Sequence, residues 1–203
     1  MTGRLAEGWR RCTDVLVSLT LLVLLSPVIG VVALAVRVRM GAPVTFRQPR
    51  LGRGGVPFTL YKFRSMHAPG PGRDGPEFDH LRLGRLGRFL RSTSLDELPS
   101  LVNLLRGEIG LVGPRPLPLH YWPRFTSEEL TRFEVKPGIT GLAQVAGRNA
   151  VDWPERLALD VRYVRERTLR LDMRVLLQTV PVVLGRSGVD HADGVTMHEL
   201  PPR

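Results

Sequence analysis

The chain has 203 residues, 43% of them apolar, which is enough for one folded domain with an appendage and excludes wholesale disorder. Lysine and arginine number 29 against 19 aspartates and glutamates, and nearly all are arginine, whose fork binds phosphate in a bidentate way. Phosphate-bearing partners therefore come first (anionic lipid, nucleotide-linked substrates or nucleic acid), while the lone Cys12 excludes an internal disulfide and the histidine spacing argues against zinc.

The first predicted element is the apolar run Val15 to Val36, which carries no charge and is bounded by Asp14 and Arg37. As a straight helix it would be ~33 Å long, close to the ~30 Å of a hydrocarbon core. A helix buried in a soluble core would show polar residues every few positions, and here only Ser18, Thr20 and Ser26 qualify. Ala33-Leu34-Ala35 resembles a signal cleavage site, but the run exceeds the ~7–15 residues of a secretory apolar region. A spanning anchor prefers basic residues on one flank. Here Arg4, Arg10 and Arg11 precede the run, while Arg37, Arg39, Arg47 and Arg50 follow it. Ser26-Pro27 sits near the centre, where proline removes a helical hydrogen bond and leaves two halves of ~14–16 Å. A re-entrant hairpin that dips into one leaflet and returns satisfies both observations. Ser26 would cap the backbone groups freed at the break.

Beyond Met40 the pattern turns polar. Residues 43–48 and 56–64 alternate β-branched or aromatic residues with polar ones around Gly52-Arg53-Gly54-Gly55, which predicts a short β-hairpin. The Gly/Pro-rich stretch 67–79 predicts a loop. Residues 81–91 carry Arg82, Arg85, Arg88 and Arg91 with leucines and Phe89 between them, an amphipathic basic helix suited to a membrane surface. Leucines at helical spacing predict a helix from Ser94 to Arg106, closed by Gly107. Residues 110–116 and 136–141 read as rigid loops, and 149–184 as one or two amphipathic helices with a break near Arg170. The tail from Gly185 is polar and expected to be poorly ordered. The class expected is α+β, with a membrane-inserted hairpin over 1–40, a folded cytoplasmic domain over 41–185 and a tail over 186–203.

Asp96 and Glu97 are adjacent carboxylates in an arginine-rich chain, and their mutual repulsion calls for a cation nearby. Ser94-x-x-Glu97 matches a capping box, with Asp96 favoured by the helix dipole. A cap alone does not need Arg91 upstream, Gly113-Pro114-Arg115-Pro116 downstream, or Gly147-Arg148-Asn149 further on. Arginines gathered at a helix start make an anion site, and a carboxylate there becomes a metal ligand or nucleophile. The bland rival is a membrane-anchored basic module that binds anionic lipid or nucleic acid without catalysis.

The order of motifs is Ser26-Pro27 in the apolar segment, Leu60-Tyr61-Lys62-Phe63-Arg64-Ser65-Met66, Ser94 to Pro99, Gly113 to Pro116, Lys136 to Gln144 and Gly147 to Asn149. It resembles the bacterial sugar transferases, the monotopic phosphoglycosyl transferases, over residues 10–185 and in the size of their minimal members. The resemblance implies transfer of a sugar-1-phosphate from a UDP-sugar to polyprenyl (undecaprenyl) phosphate, with release of UMP and with Mg²⁺, initiating surface polysaccharide or glycoconjugate synthesis. It also implies a re-entrant helix in the bacterial inner membrane, with the catalytic domain on the cytoplasmic face. By resemblance Asp96 is the nucleophile that carries a covalent phosphosugar. Glu97 helps Asp96 hold Mg²⁺ or deprotonates the incoming lipid phosphate, and the two roles stay open. Lys62, Arg91, Arg115 and Arg148 are expected to contact phosphate, and Thr140 and Gln144 nucleotide or sugar. Membrane lipid is an expected partner, nucleic acid is not, and a homodimer stays open. Residues 67–79 do not match the family pattern.

Overall fold

The computed structural model describes residues 3–68, 78–147, 151–185 and 199–202. The chain opens with helices α1 (Gly3–Leu24) and α2 (Ser26–Met40), bent by 64° at Leu25. Neither helix is long and apolar enough to cross a membrane alone, whereas the bent pair passes that test together. The bend has a local cause. Pro27 has no N–H to offer the Val23 carbonyl, and the Ser26 hydroxyl donates to that oxygen instead at 2.8 Å.

Both arms of the pair attach to the rest of the chain. On α1, Arg10 donates to Asp172 at 2.7 Å, and the Asp14 carboxylate accepts from the Leu111 N–H at 2.9 Å. Arg11 donates to the carbonyls of Leu104 and Leu105 at the end of a later helix, where a cation meets the negative end of the dipole. Leu21 and Leu22 pack with Leu101, Leu104 and Ile109. On α2, Val32, Val36 and Met40 form a core cluster with Phe63 and Leu90.

Strands β1 (Thr45–Leu51) and β2 (Pro57–Phe63) pair antiparallel from Thr45 opposite Phe63 to Leu51 opposite Pro57. This is the expected hairpin, its first strand shifted toward the turn. The basic helix expected over 81–91 is two helices, α3 (Asp79–Arg82) and α4 (Arg85–Ser92), because Gly84 takes extended backbone angles between them. A Cβ on Gly87 would lie 1.9 Å from the Ser65 carbonyl oxygen, so only glycine lets α4 approach the end of β2 this closely.

The helix expected from Ser94 divides into a 3₁₀ turn, Leu95–Ser100, and α5 (Leu101–Arg106), closed by Gly107 in the left-handed region as expected. Pro99 explains the 3₁₀ turn: it has no N–H to return to Leu95, so an α-helical ladder cannot run through this segment. The two stretches read as rigid loops hold a parallel pair, β3 (Gly110–Val112) and β4 (Gly138–Thr140). Short helix α6 (Leu142–Gly147) follows. Then come α7 (Trp153–Glu166) and α8 (Leu169–Leu184), capped by the side chains of Asp152 and Thr168. Their break at Arg167–Thr168 lies next to the expected one at Arg170. Helices and short strands together give the expected α+β class. Beyond Gly185 the tail expected to be poorly ordered is described only at 199–202, and there it is docked instead: Leu200 is fully buried with Leu117, Tyr121 and Leu157, and its carbonyl accepts from Arg124. Residues 186–198 and most of the 67–79 loop fall outside the described residues.

Candidate active site

Four separate elements carry the charged groups to one place. Lys62 comes from β2, Arg91 from α4, Asp96 and Glu97 from the 3₁₀ turn, and Arg115 from the loop after β3. All five line a single cleft of about 620 Å³, together with Thr140 and Gln144. Arg148 lies outside the described residues.

Local backbone aims the carboxylates. Ser94 has φ 57, the only positive value at a non-glycine residue among those described. Such a conformation costs about 1–2 kcal/mol and persists where surrounding structure enforces it, often at functional sites. The capping box expected at Ser94 does not form, because its side chain makes no cap bond. Instead Glu97 Oε1 accepts from Lys62 Nζ at 2.6 Å and from Arg115 Nη2 at 3.3 Å. The cations required by the acidic pair outcompeted the helix start for this side chain, since charge-assisted bonds exceed neutral ones.

The two carboxylates are then pushed in opposite directions. Burial drives Asp96, only 8% exposed, above the ordinary carboxylate value; Lys62 pulls it down while Glu97 adds to the rise. Burial also pushes Glu97 up, but the charges and hydrogen bonds of Lys62 and Arg115 overcome it and hold the group at about 2. Glu97 is thus a fixed anion committed to two cations. Asp96 is the less solvated neighbour, better suited to attack an electrophile.

Other residues, unmarked in the sequence, hold these groups in place. Asn103 is fully buried in α5, accepts from the Tyr61 N–H at 3.1 Å and donates to the Thr59 carbonyl at 2.7 Å. It therefore completes the edge of β2 beside Lys62. Arg132 pairs with Asp160 at 2.7 Å and donates to the Arg115 carbonyl at 2.8 Å. Arg50 donates to the Pro116 carbonyl at 3.2 Å, so the buried Arg132 and the half-buried Arg50 brace the loop that presents Arg115. Burial, and then the charge of Arg115, lowers Arg50 to about 10. Nothing in the sequence pairs Arg132 with Asp160, 28 positions away. Arg50 showed only as one of several basic residues after the apolar run.

Thr140 and Gln144 differ in availability. Thr179 gives its own hydroxyl proton to the Val175 carbonyl, so Thr140 is the donor in the 2.7 Å Thr140–Thr179 bond, which fixes α8 against β4. The Gln144 amide is buried, and neither its oxygen nor its nitrogen has a hydrogen-bond partner among the described residues.

A cleft walled by Arg50, Lys62, Arg91, Arg115 and Arg156 against fewer acids suits a polyanion. Comparison with known proteins agrees. The model of the family described as bacterial sugar transferase matches residues 5–186. An uncharacterized sugar transferase of Bacillus subtilis, EpsL, is 43% identical over 92% of this chain and 93% of its own length. The UDP-glucose:undecaprenyl-phosphate glucose-1-phosphate transferase of Caulobacter vibrioides is 39% identical over 86% of this chain and 69% of its own. An enzyme of the same name from Klebsiella pneumoniae is 39% identical over 85% of this chain, which spans only 39% of that relative. The chain belongs to the bacterial sugar transferase family.

Proposed function

We propose that the chain moves a sugar-1-phosphate from a UDP-sugar to undecaprenyl or another polyprenyl phosphate, in two steps through a phosphosugar carried on Asp96. The observation that carries this reading is the buried Asp96 beside a Glu97 neutralised by Lys62 and Arg115, in a cationic cleft. In the first step an Asp96 carboxylate oxygen attacks the sugar-bearing phosphorus. The bond from that phosphorus to the bridging oxygen of the diphosphate breaks, and UMP leaves with the electron pair. In the second step an oxygen of the polyprenyl phosphate attacks the same phosphorus, the bond to Asp96 breaks, and the carboxylate is restored. Covalent capture lets a soluble donor and a lipid acceptor use one site in turn.

Lys62, Arg91 and Arg115 stand where negative charge gathers on the transferring phosphoryl oxygens, the main electrostatic demand of such a reaction. The donor set also fits Mg²⁺, which uses one or two carboxylates and completes its shell with water and substrate phosphates. Asp96 and Glu97 would hold it, and no cluster of three or more His, Cys, Asp or Glu side chains occurs among the described residues. Bound there, Mg²⁺ supplies neutralisation of the diphosphate charge.

The reading also lays α1 and α2 in the inner leaflet of the bacterial inner membrane as a re-entrant hairpin, with the cleft on the cytoplasmic face. Its support is that both arms attach to the same body, α1 through Arg10, Arg11 and Asp14, and α2 through Val36 and Met40.

Asp96→Asn tests the assignment. UMP release from the accepted UDP-sugar, found by assaying a panel, should fall about 10³-fold or more. Wild-type protein incubated with labelled donor and no acceptor should retain labelled phosphosugar, and the variant should not. Unchanged release by the variant would remove Asp96 as the nucleophile, and a wild type that releases no UMP from any UDP-sugar would return the chain to a non-catalytic basic module. An unlabelled wild type that still turns over would leave a one-step transfer.

A further inference from the structure

The cleft that holds Asp96 has a second wall built of apolar side chains: Leu21 of α1, Leu111 of β3, Ile139 of β4, Ala143 of α6, and Val182 and Val183 of α8. It begins beside the reactive carboxylate. Leu98, two residues beyond Asp96, lines the cleft and packs with Leu21, Leu111 and Ile139 around Leu101, Leu104 and Ile109. The wall is also held in place, because the Thr140–Thr179 bond fixes α8 one turn before Val182 and Val183.

The two helices that carry it are also apolar on their exposed surface: on α1, Val23 and Leu24 are 71% and 68% exposed, and on α8, Leu177 and Val180 are 68% and 56% exposed. An apolar wall between two such helices matches hydrocarbon better than water. A UDP-sugar could offer this wall only the faces of its uracil and sugar rings. A polyprenyl phosphate is an amphiphile, with a dianionic head and a hydrocarbon chain, and the cleft offers both halves side by side.

We infer that Leu21, Ile139, Val182 and Val183 seat the first isoprene units of the acceptor. The chain enters between α1 and the last turns of α8, and its phosphate meets Lys62, Arg91 and Arg115. The inference rests on the reading of the chain as a polyprenyl-phosphate transferase. It adds a reason for efficient transfer. Fixing the head of a flexible amphiphile near its tail brings the attacking oxygen to the phosphosugar without ordering the rest of the chain.

The test uses the full chain in lipid nanodiscs with Val183→Trp, which fills the wall, and Leu21→Asn, which makes it polar. Kinetics are read separately for the UDP-sugar and for undecaprenyl phosphate. The acceptor KM should rise at least about tenfold while the donor KM stays within about twofold. No change in either KM, or equal changes in both, overturns the seat. A second measurement needs no turnover and no variant: a polyprenyl phosphate with a diazirine on its first isoprene unit is photolysed on wild-type protein. Label on peptides containing Leu21 or Val182–Val183, displaced by undecaprenyl phosphate but not by excess phospholipid, supports the seat. Label elsewhere, or label displaced equally by phospholipid, overturns it. Failure of the transferase reading shows separately, as a wild-type chain that releases no UMP from any UDP-sugar.

Discussion

Asp96 and Glu97 occupy consecutive positions and yet titrate in different worlds, because only Glu97 reaches both Lys62 and Arg115. A carboxyl held at about 2 in the fold against an ordinary 4.5 stabilises the fold wherever it is ionised. That contribution is complete above pH 4.5 and is lost as pH falls from there through about 2. Asp96, raised by burial, contributes with the opposite sign. The melting temperature of wild-type protein should therefore fall between pH 4.5 and 2 more steeply than that of Glu97→Gln. Parallel curves would mean that Glu97 is not the group the two cations hold. Arg132 and Asp160 make a second residue-scale case, with side chains 1% and 2% exposed. Removing one partner strands a buried charge at a cost of about 3–5 kcal/mol, whereas replacing both with apolar groups can be close to neutral. Arg132→Leu should thus lose that much in urea denaturation, and Arg132→Leu with Asp160→Leu should recover most of it. Equal losses in the single and double variants would show that the pair acts by shape and not by charge.

At the scale of elements, what could be read from the sequence was whatever neighbouring residues decide. Ser26-Pro27 marked the bend, the glycines between two alternating stretches marked the β1–β2 hairpin, and Gly107 marked the end of α5. The failures have equally definite causes. The capping box at Ser94 was a correct local pattern overridden by Lys62, which is 35 positions from Glu97 in sequence and adjacent to it in space. The β3–β4 pair joins two three-residue strands across a long connection, so neither carries enough alternation to declare itself. Asn103 looks like a polar interruption in a leucine-rich helix until β2 arrives to use its amide. The bend itself yields a test. Pro27→Ala restores the N–H that the Val23 carbonyl lacks, which removes the reason for the Ser26 substitute bond. Spin labels at the exposed positions Leu5 and Val38 should then move apart toward the ~50 Å of a straight helix of that length. An unchanged distance would assign the bend to the docking of α2 on Phe63 and Leu90 instead of to proline.

For the whole molecule, the question is whether the apolar α1–α2 pair and the cationic cleft can lie on one side of a membrane, as proposed. A continuous span would carry α1 and β1 to opposite sides. The contacts do not permit that separation without loss. Arg10, Arg11 and Asp14 fasten α1 to α8, α5 and β3, while Val36 and Met40 fasten α2 to β2 and α4. Pulling either arm across a bilayer would break its set and strand Asp14, which is buried and driven above the ordinary carboxylate value mainly by that burial. The chain offers its own reporter, because Cys12 is its sole cysteine and is exposed on α1. In intact spheroplasts an impermeant maleimide should leave Cys12 unlabelled, and should equally spare Arg47→Cys in a Cys12→Ser background. Both positions should label after permeabilisation. Labelling of one site and not the other would require a spanning helix, and then the two sets of contacts could not coexist in the membrane-bound protein. Protection of both keeps the α1–α2 hairpin on one side and leaves the Asp96 cleft at the surface where a soluble donor and a lipid acceptor can each reach it.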